Sequence, residues 1–518
     1  MGSSSNYASG AVITPHYLAT LAGYDVLRSG GNAVDAIVAA NLALGVVAPY
    51  YCGYGGDLLA LVHDGDLHGY RSTGRSAAGS DARDVRSEGH QTMPHFGAHT
   101  ITVPGAVRGW FELLQRFGTQ TFRQLAQRAL VLAAEGFVLT KPGAFRLAGS
   151  MAILRAMGID DSDLRENYPE VRANHRVVQP GLAKLIDTLS ADGWEPYYEG
   201  EVAQAIVASV QRSGGSLTIE DLAGHTGAWV TPLRAEFRGR TVIELPPPTQ
   251  GVTALQMLRI VDGLDLGHDG PDRDHVMIET AKLALADRDE FVADPDAMTI
   301  ATSAMLSDEW IGDRRLRIDP NRAIPMRHRP GADGGTAYMC CTDGNGLSIS
   351  LIQSNFTAIG SGVHVPGWGI NLHNRGSAFS LEAAHPNVLA GGKLPLHTLI
   401  PAMVLRDDVP THVFGTMGGH AQAQVHLQLL VQMLIDGKDP QLAIDAPRFH
   451  VDPGSGVVQL EARYSDAVQR DLVRRGHEIR VLRDFDDAMG HAHAIEFLDT
   501  GAIAVGADPR AESAALGV

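Results

Sequence analysis

Cysteine is almost absent from this chain: Cys52 and the adjacent Cys340 and Cys341 are all that 518 residues contain. So sparse and odd a count argues against a disulfide framework and fits a reducing compartment. Positive charge is also scarce, with 42 Lys and Arg against 59 Asp and Glu and a formal net charge of −17. That balance argues against a nucleic-acid backbone or an anionic membrane as partner. No apolar run is long enough to span a bilayer; the longest, "AIVAANLALGVVAPYY" at 36–51, meets Pro49 and reads as a buried helix. The first residues carry no basic stretch followed by an apolar one, so no secretory leader is expected, and the expected location is cytoplasmic. Despite 22 histidines, HExxH and paired Cys/His spacings are missing, and "GYGGD" and "SGGNAVD" lack the full phosphate-loop or dinucleotide fingerprint. The sequence therefore predicts neither a metal nor a cofactor.

What is present is an ordinary globular composition, 44% hydrophobic, on a chain long enough for several domains or one large, intimately packed unit. "GGNAVDAIVAANLALGVV" opens on a credible cap at Asn32 and runs as a helix. "LLALVHDGDLHGYRSTGR" reads as two strands about an Asp-Gly turn, with Arg75 just beyond them. From about residue 104 to 230 the periodicity is mostly helical, and "HVMIETAKLALADRDEFVADP" is a further helix. Residues 311–335, "IGDRRLRIDPNRAIPMRHRPGADGG", lose periodicity and fill with Arg, Pro and Gly, the pattern of an exposed linker. Strands dominate beyond it, with one clear helix in "AQVHLQLLVQMLIDG". The division is a segment 1–335 that ends in this linker and a smaller, β-rich segment 336–518.

At that junction stands "DGGTAYMCCTDGNG", residues 333–346. With Gly344–Asn345 as the turn centre, a hairpin sets Thr336 opposite residue 353, give or take one, so Gln353 or Ser354 lies beside it. Alternation puts Thr336, Tyr338 and Cys340 on one face and Ala337, Met339 and Cys341 on the other. A threonine hydroxyl needs a base, and an N-terminal threonine carries one, since an α-amino group titrates near ~7.7–8.0. Breaking the Gly335–Thr336 bond would create that amine, and a residue without Cβ before the bond tolerates the strained backbone of the attack. "DGNG" itself lacks the liganding positions of a calcium loop and reads as a turn.

Ordered motifs from about residue 10 to 515, among them "VLRSGGNAVDA", "GYGGDLLALV", "VPGAVRGW", "TAYMCCTDGNGLSIS", "MGGHAQAQ" and "GADPRAES", resemble the γ-glutamyltransferase family of N-terminal-nucleophile (Ntn) hydrolases. The resemblance implies an α+β fold, a four-layer αββα sandwich formed jointly by both segments of a self-cleaving precursor. It implies that Thr336 is the nucleophile, that Ser354 supports it, and that Gly418 and Gly419 form the oxyanion hole. Arg75, in "STGRSA", matches the family arginine that holds a substrate carboxylate.

Three departures bear on the substrate. Phe356 stands where glutamyl-transferring members carry Asn, Ala378 where they carry an acid for the substrate ammonium, and His397 and Thr398 where they carry paired serines. Arg375 and His397 are gained, and no compensating carboxylate is expected, which favours a small, purely anionic acyl group. The pattern resembles a subgroup that includes oxamate amidohydrolases, so an oxalyl-type amide is the expected substrate. Arg75, Arg375, His397, Thr398, Phe356 and Tyr338, the last sharing the nucleophile's face, are the candidate substrate contacts. The alternatives are a γ-glutamyl hydrolase or transpeptidase, hydrolytic C–C cleavage of an oxalyl group, and a non-catalytic binding descendant. The expected partners are a small anionic molecule and the chain's own other segment; a homo-oligomer is left open.

Overall fold

In the strand Gly335–Thr342 every residue from Thr336 onward is buried, and its two faces belong to different cores. Tyr338 and Cys340 join Leu59, Leu61 and Ile352 in one apolar layer, whereas Ala337, Met339 and Cys341 join a second layer with the helices Tyr17–Arg28 and Ala33–Val47. Burial on both faces explains why "TAYMCC" reads as a nearly continuous apolar run rather than an alternating one. The computed structural model describes residues 3–326 and 335–518.

Two seven-stranded sheets, antiparallel throughout, face each other across the first of these layers. The first sheet runs Ala514–Gly517, Ala11–Thr14, Gly335–Thr342, Ser348–Phe356, Asp57–His63, Leu67–Ser72, Ala228–Val230. The second runs Ser5–Tyr7, Ile503–Ala507, Ala492–Phe497, Val409–Thr416, Ala402–Arg406, Arg240–Glu244, Leu233–Phe237. The helices Gly251–Asp262, Pro271–Phe291 and Gln422–Leu430 cover its outer side around a third core. This is the expected αββα sandwich, and both sheets interleave strands from before residue 326 with strands from after 335.

The helix Ala33–Val47 is apolar all round because it is buried all round. Its start is a capping box: Asn32 accepts from the Asp35 N–H while Asp35 reaches back to the Asn32 N–H. The expected linker behaves differently from its composition. Residues 308–316 form a helix, capped by Ser307, acidic in its first turn and basic in its last, with Ile311 buried. Arg314 of that helix holds both oxygens of Asp287. Further on, Ile324 N–H donates to Glu279 and Lys282 donates to the Ile324 carbonyl at 3.2 Å. The rest of the expected linker, 327–334, lies outside the described residues.

Candidate active site

The hairpin that carries Thr336 closes as Asp343–Leu347, one position later than a Gly344–Asn345 centre would give. The cause is Asp343, whose Oδ1 accepts from the N–H groups of Asn345 (2.8 Å) and Leu347 (3.2 Å). Ala337 pairs with Gln353 and Gly335 with Phe356, so a bulge lies between them. The bulge turns Ser354 toward Thr336, and their hydroxyl oxygens are 3.0 Å apart. Ser354 Oγ donates its hydrogen to the Gly335 carbonyl at 2.8 Å and accepts the Phe356 N–H at 2.7 Å. A serine has one hydroxyl hydrogen, so the Thr336 hydroxyl is the donor in the Thr336–Ser354 bond. The proton that a nucleophilic Thr336 must lose, and the carbonyl it would attack, thus meet at one oxygen. A Cβ on Gly335 would collide with the Tyr50 carbonyl oxygen, so no larger residue fits there.

Gly418 (φ 131°) and Gly419 (φ 54°) form the sharp turn after the strand Val409–Thr416. Neither amide N–H donates to another group among the described residues, as an oxyanion hole requires. Gln250, fully buried, fixes the turn: its amide donates to the carbonyls of Gly419 (2.9 Å) and Thr398 (2.8 Å) and accepts from Arg288 (2.9 Å). Contacts tie this turn to the Thr336 end of the hairpin. Tyr50 carbonyl abuts Gly335, the Tyr51 ring packs edge-on against His491, and the His491 carbonyl accepts the Met417 N–H at 3.0 Å.

Arg375 is 1% exposed. Nη1 donates to Thr398 Oγ1 at 3.0 Å and the guanidinium lies 3.9 Å over the Phe356 ring, a cation–π stack. Nε and Nη2 have no hydrogen-bond partner among the described residues. Burial pushes the guanidinium down to about 9, opposed by the Asp57 charge. A buried cation with two unspent donors is an incomplete anion site. Phe356 holds its place with φ 71°, uncommon for a bulky residue. His397 Nδ1 accepts the Leu399 N–H, so Nε2 carries the hydrogen that it donates to Asp57 Oδ2 at 3.0 Å. Burial and the nearby Arg375 hold this imidazole well below its usual value, and it is neutral.

Phe356, Ala378, Thr398, His420 and Arg288 line one cleft of about 160 Å³. Its wall thus carries three of the positions singled out for substrate, and Arg375 stands directly behind Phe356 and Thr398. Two candidates lie elsewhere. Arg75 is half exposed, bound to Asp294 (3.2 Å) and the Gly392 carbonyl (2.9 Å), and lines a separate cavity with Arg71 and Thr73. Tyr338 lies in the core between the sheets with its hydroxyl on Ser350 at 2.9 Å, because its place two residues past Thr336 takes it under the second sheet.

The expectation of no compensating carboxylate is also corrected, since Asp57 supplies one. It is fully buried, next to Ser354 across the ladder, with Gly74 N–H on Oδ1 and His397 on Oδ2. A charged residue opening the apolar strand "DLLALV" in register with Ser354 was the signal that could have revealed it. His420 also went unread: next to the Gly turn, 8% exposed, its two ring nitrogens unpartnered among the described residues. Away from the cleft, His275, Glu279 and His477 gather at metal-ligand spacing. The Lys282 ammonium occupies the group, donating to Glu279 (2.8 Å) and His477 (3.2 Å).

Comparison with known proteins agrees with this architecture. The family model described as gamma-glutamyltranspeptidase matches residues 19–518. The chain is 34% identical to the glutathione hydrolase-like YwrD proenzyme of Bacillus subtilis (strain 168), over 98% of each chain. It is also 34% identical to the oxamate amidohydrolase proenzyme of Klebsiella pneumoniae, over 100% of each. A crystal structure of cephalosporin acylase from Bacillus halodurans superposes with a TM-score of 0.94 at 36% identity, covering 100% of this chain and 97% of that one. With the family matched over nearly the whole length and the αββα sandwich in place, the chain belongs to the gamma-glutamyltranspeptidase family and is an N-terminal threonine hydrolase.

Proposed function

We propose that Thr336 is the nucleophile of a self-processing amidohydrolase whose substrate is the amide of a small anionic acyl group of the oxalyl type. The observation that carries the substrate is Arg375, a buried guanidinium with Nε and Nη2 unspent beside Thr398, at a cleft where Ala378 offers no anion to an ammonium. In the precursor, Thr336 Oγ1 attacks the Gly335 carbonyl, polarised by the Ser354 hydroxyl. The C–N bond breaks, the proton passes to the departing Thr336 nitrogen, and water hydrolyses the ester to give segments 1–335 and 336–518. In the mature site the Thr336 α-amine takes the hydroxyl proton as Oγ1 attacks the substrate carbonyl. The N–H groups of Gly418 and Gly419 hold the oxyanion, and the amine passes its proton to the leaving nitrogen. Water, deprotonated by the same amine, then releases the acid from the acyl-enzyme. A relative bearing an oxamate amidohydrolase name at full-length coverage supports the oxalyl reading.

The name of another relative, a glutathione hydrolase-like proenzyme, favours a γ-glutamyl substrate instead. Hydrolysis of oxamate and of a γ-glutamyl anilide by the cleaved enzyme separates the two. The expected outcome is a kcat/KM for oxamate at least roughly 100-fold higher, the scale of a missing partner for a buried charge. Equal or better turnover of the glutamyl amide rules the oxalyl assignment out.

A further inference from the structure

Thr336, Ser354 and Asp57 stand side by side on three adjoining strands. Each shares its strand's face with a residue of the inter-sheet core, namely Tyr338, Ile352 and Leu59, so all three side chains point the same way. The Asp57 carboxylate is 1% exposed and surrounded by neutral donors. His397 Nε2–H lies 3.0 Å from Oδ2 and Gly74 N–H 3.4 Å from Oδ1. His373 Nδ1 accepts the Arg375 N–H, which leaves the hydrogen on Nε2, 3.9 Å from Oδ1 and beyond hydrogen-bond distance. Tyr197 and Tyr198, two phenols within the field of this carboxylate, give their hydrogens to the carbonyls of Tyr54 and Pro104. Arg71, whose charge reaches His397, gives Nη1 to the Pro247 carbonyl at 3.3 Å. The cation that offsets Asp57 is Arg375, near enough to act through its field but outside ion-pair distance among the described residues.

We propose that Asp57 is the charge-balancing, positioning partner of Arg375, and that binding of a carboxylate substrate to Arg375 draws one proton from solvent onto ionised Asp57. This rests on the reading of Arg375 as the substrate-anion site. A buried pocket holding one guanidinium tolerates one anion; a second, with no further cation, leaves an uncompensated charge that is costly to desolvate. Before substrate arrives, Arg375 balances Asp57. Once a substrate carboxylate takes the free Nε and Nη2 edge, the field that favoured the Asp57 anion is cancelled, while its burial is unchanged. Burial pushes Asp57 up to about 7 even with Arg375 unoccupied, so the proton is available near neutrality.

The direction follows from linkage. Substrate binding raises the affinity of Asp57 for its proton, so anion affinity is flat below about pH 7 and weakens by about tenfold per pH unit above it, until the bound-state value is reached. Deprotonation of the Thr336 amine acts on kcat in the opposite sense, raising it with pH. The two effects therefore separate in the KM and kcat profiles.

The probe is oxalate, an inhibitor without a scissile amide and without a titration between pH 6 and 9, measured on the cleaved enzyme. Its Ki is followed against pH, and proton uptake is measured by calorimetry in buffers of different ionisation enthalpy. Wild type is expected to take up close to one proton at pH 8, with Ki climbing above pH 7. Asp57→Asn is expected to show a flat Ki and no uptake. Oxalate binding without proton uptake in wild type, or uptake that persists in Asp57→Asn, overturns the inference. The wild-type calorimetry alone suffices if Asp57→Asn does not fold. Arg375→Gln guards the underlying reading: if it binds oxalate as tightly as wild type, Arg375 is not the receptor, and the fault lies there rather than with Asp57.

Discussion

Ser354 gives its single hydroxyl hydrogen to the Gly335 carbonyl and receives that of Thr336, so one side chain joins the proposed nucleophile to the bond it would break. Replacing Thr336 by Ala is therefore expected to leave one intact chain on prolonged incubation, whereas Thr336→Ser, which keeps a hydroxyl, still yields two. Intact mass spectrometry reads both, and cleavage of the Ala variant at 335/336 refutes the assignment. Arg375→Lys keeps a charge but loses the planar fork, the stack on Phe356 and one of the unspent donors. We expect kcat/KM for oxamate to fall on the order of 100-fold, mostly in KM, because the loss lies in holding the acid rather than in the attack. These residues were legible unequally. Ladder geometry set Gln353 or Ser354 beside Thr336 without choosing between them, and the motif resemblance pointed to Ser354, Arg375 and Thr398. Arg75 carried as strong a motif, yet its guanidinium turns to Asp294, a choice made by a residue more than two hundred positions away.

Among the elements, the hairpin Gly335–Phe356 shows where pattern reading stops. Its existence and its faces were readable from alternation and from "DGNG"; the one-position shift that selects Ser354 over Gln353 was not, because it depends on how Asp343 closes the turn. The turn is held by one side chain. Asp343 accepts two N–H groups of its own loop with Oδ1 and the Ala33 N–H, at the start of the helix Ala33–Val47, with Oδ2 at 3.1 Å. Asp343→Ala leaves these donors short of a partner in a mostly buried place and is expected to cost about 2 kcal/mol. A lowered denaturant midpoint with self-cleavage intact is the expected outcome, since the turn lies at the far end of the strand from Thr336. Loss of cleavage at unchanged stability contradicts it. Gly335→Ala should do the reverse: its Cβ meets the Tyr50 carbonyl, so cleavage slows while the turn is untouched. The linker at 311–335 was the poorest reading, for a related reason. Arg, Pro and Gly signal exposure, but Ser307, Asp287 and Glu279 impose a helix and anchors that composition does not reveal.

At the scale of the whole molecule, the two sheets decide what cleavage can do. In the first, Gly335–Thr342 lies between Ala11–Thr14 and Ser348–Phe356, and Ser348–Phe356 is paired in turn with Asp57–His63. In the second, Ala402–Arg406 pairs with Arg240–Glu244, and Ile503–Ala507 pairs with Ser5–Tyr7. Ala11–Thr14 pairs with Ala514–Gly517 as well, so five ladders cross the division at 335/336, and the core between the sheets draws on both sides of it. The sequence implied this sharing only through the family resemblance, because nothing local in either segment records which strand it will pair with. Separating the segments would expose whole sheet edges and that common core, so neither half retains a closed apolar interior of its own. The cleaved protein is therefore expected to travel as one species on native size exclusion and to resolve into two chains only in denaturant. Expressed alone, either segment should be insoluble or unfolded by circular dichroism, and mixing the two denatured segments should be needed to recover structure. A stable, folded 336–518 fragment on its own would show that the sheets are not shared as described.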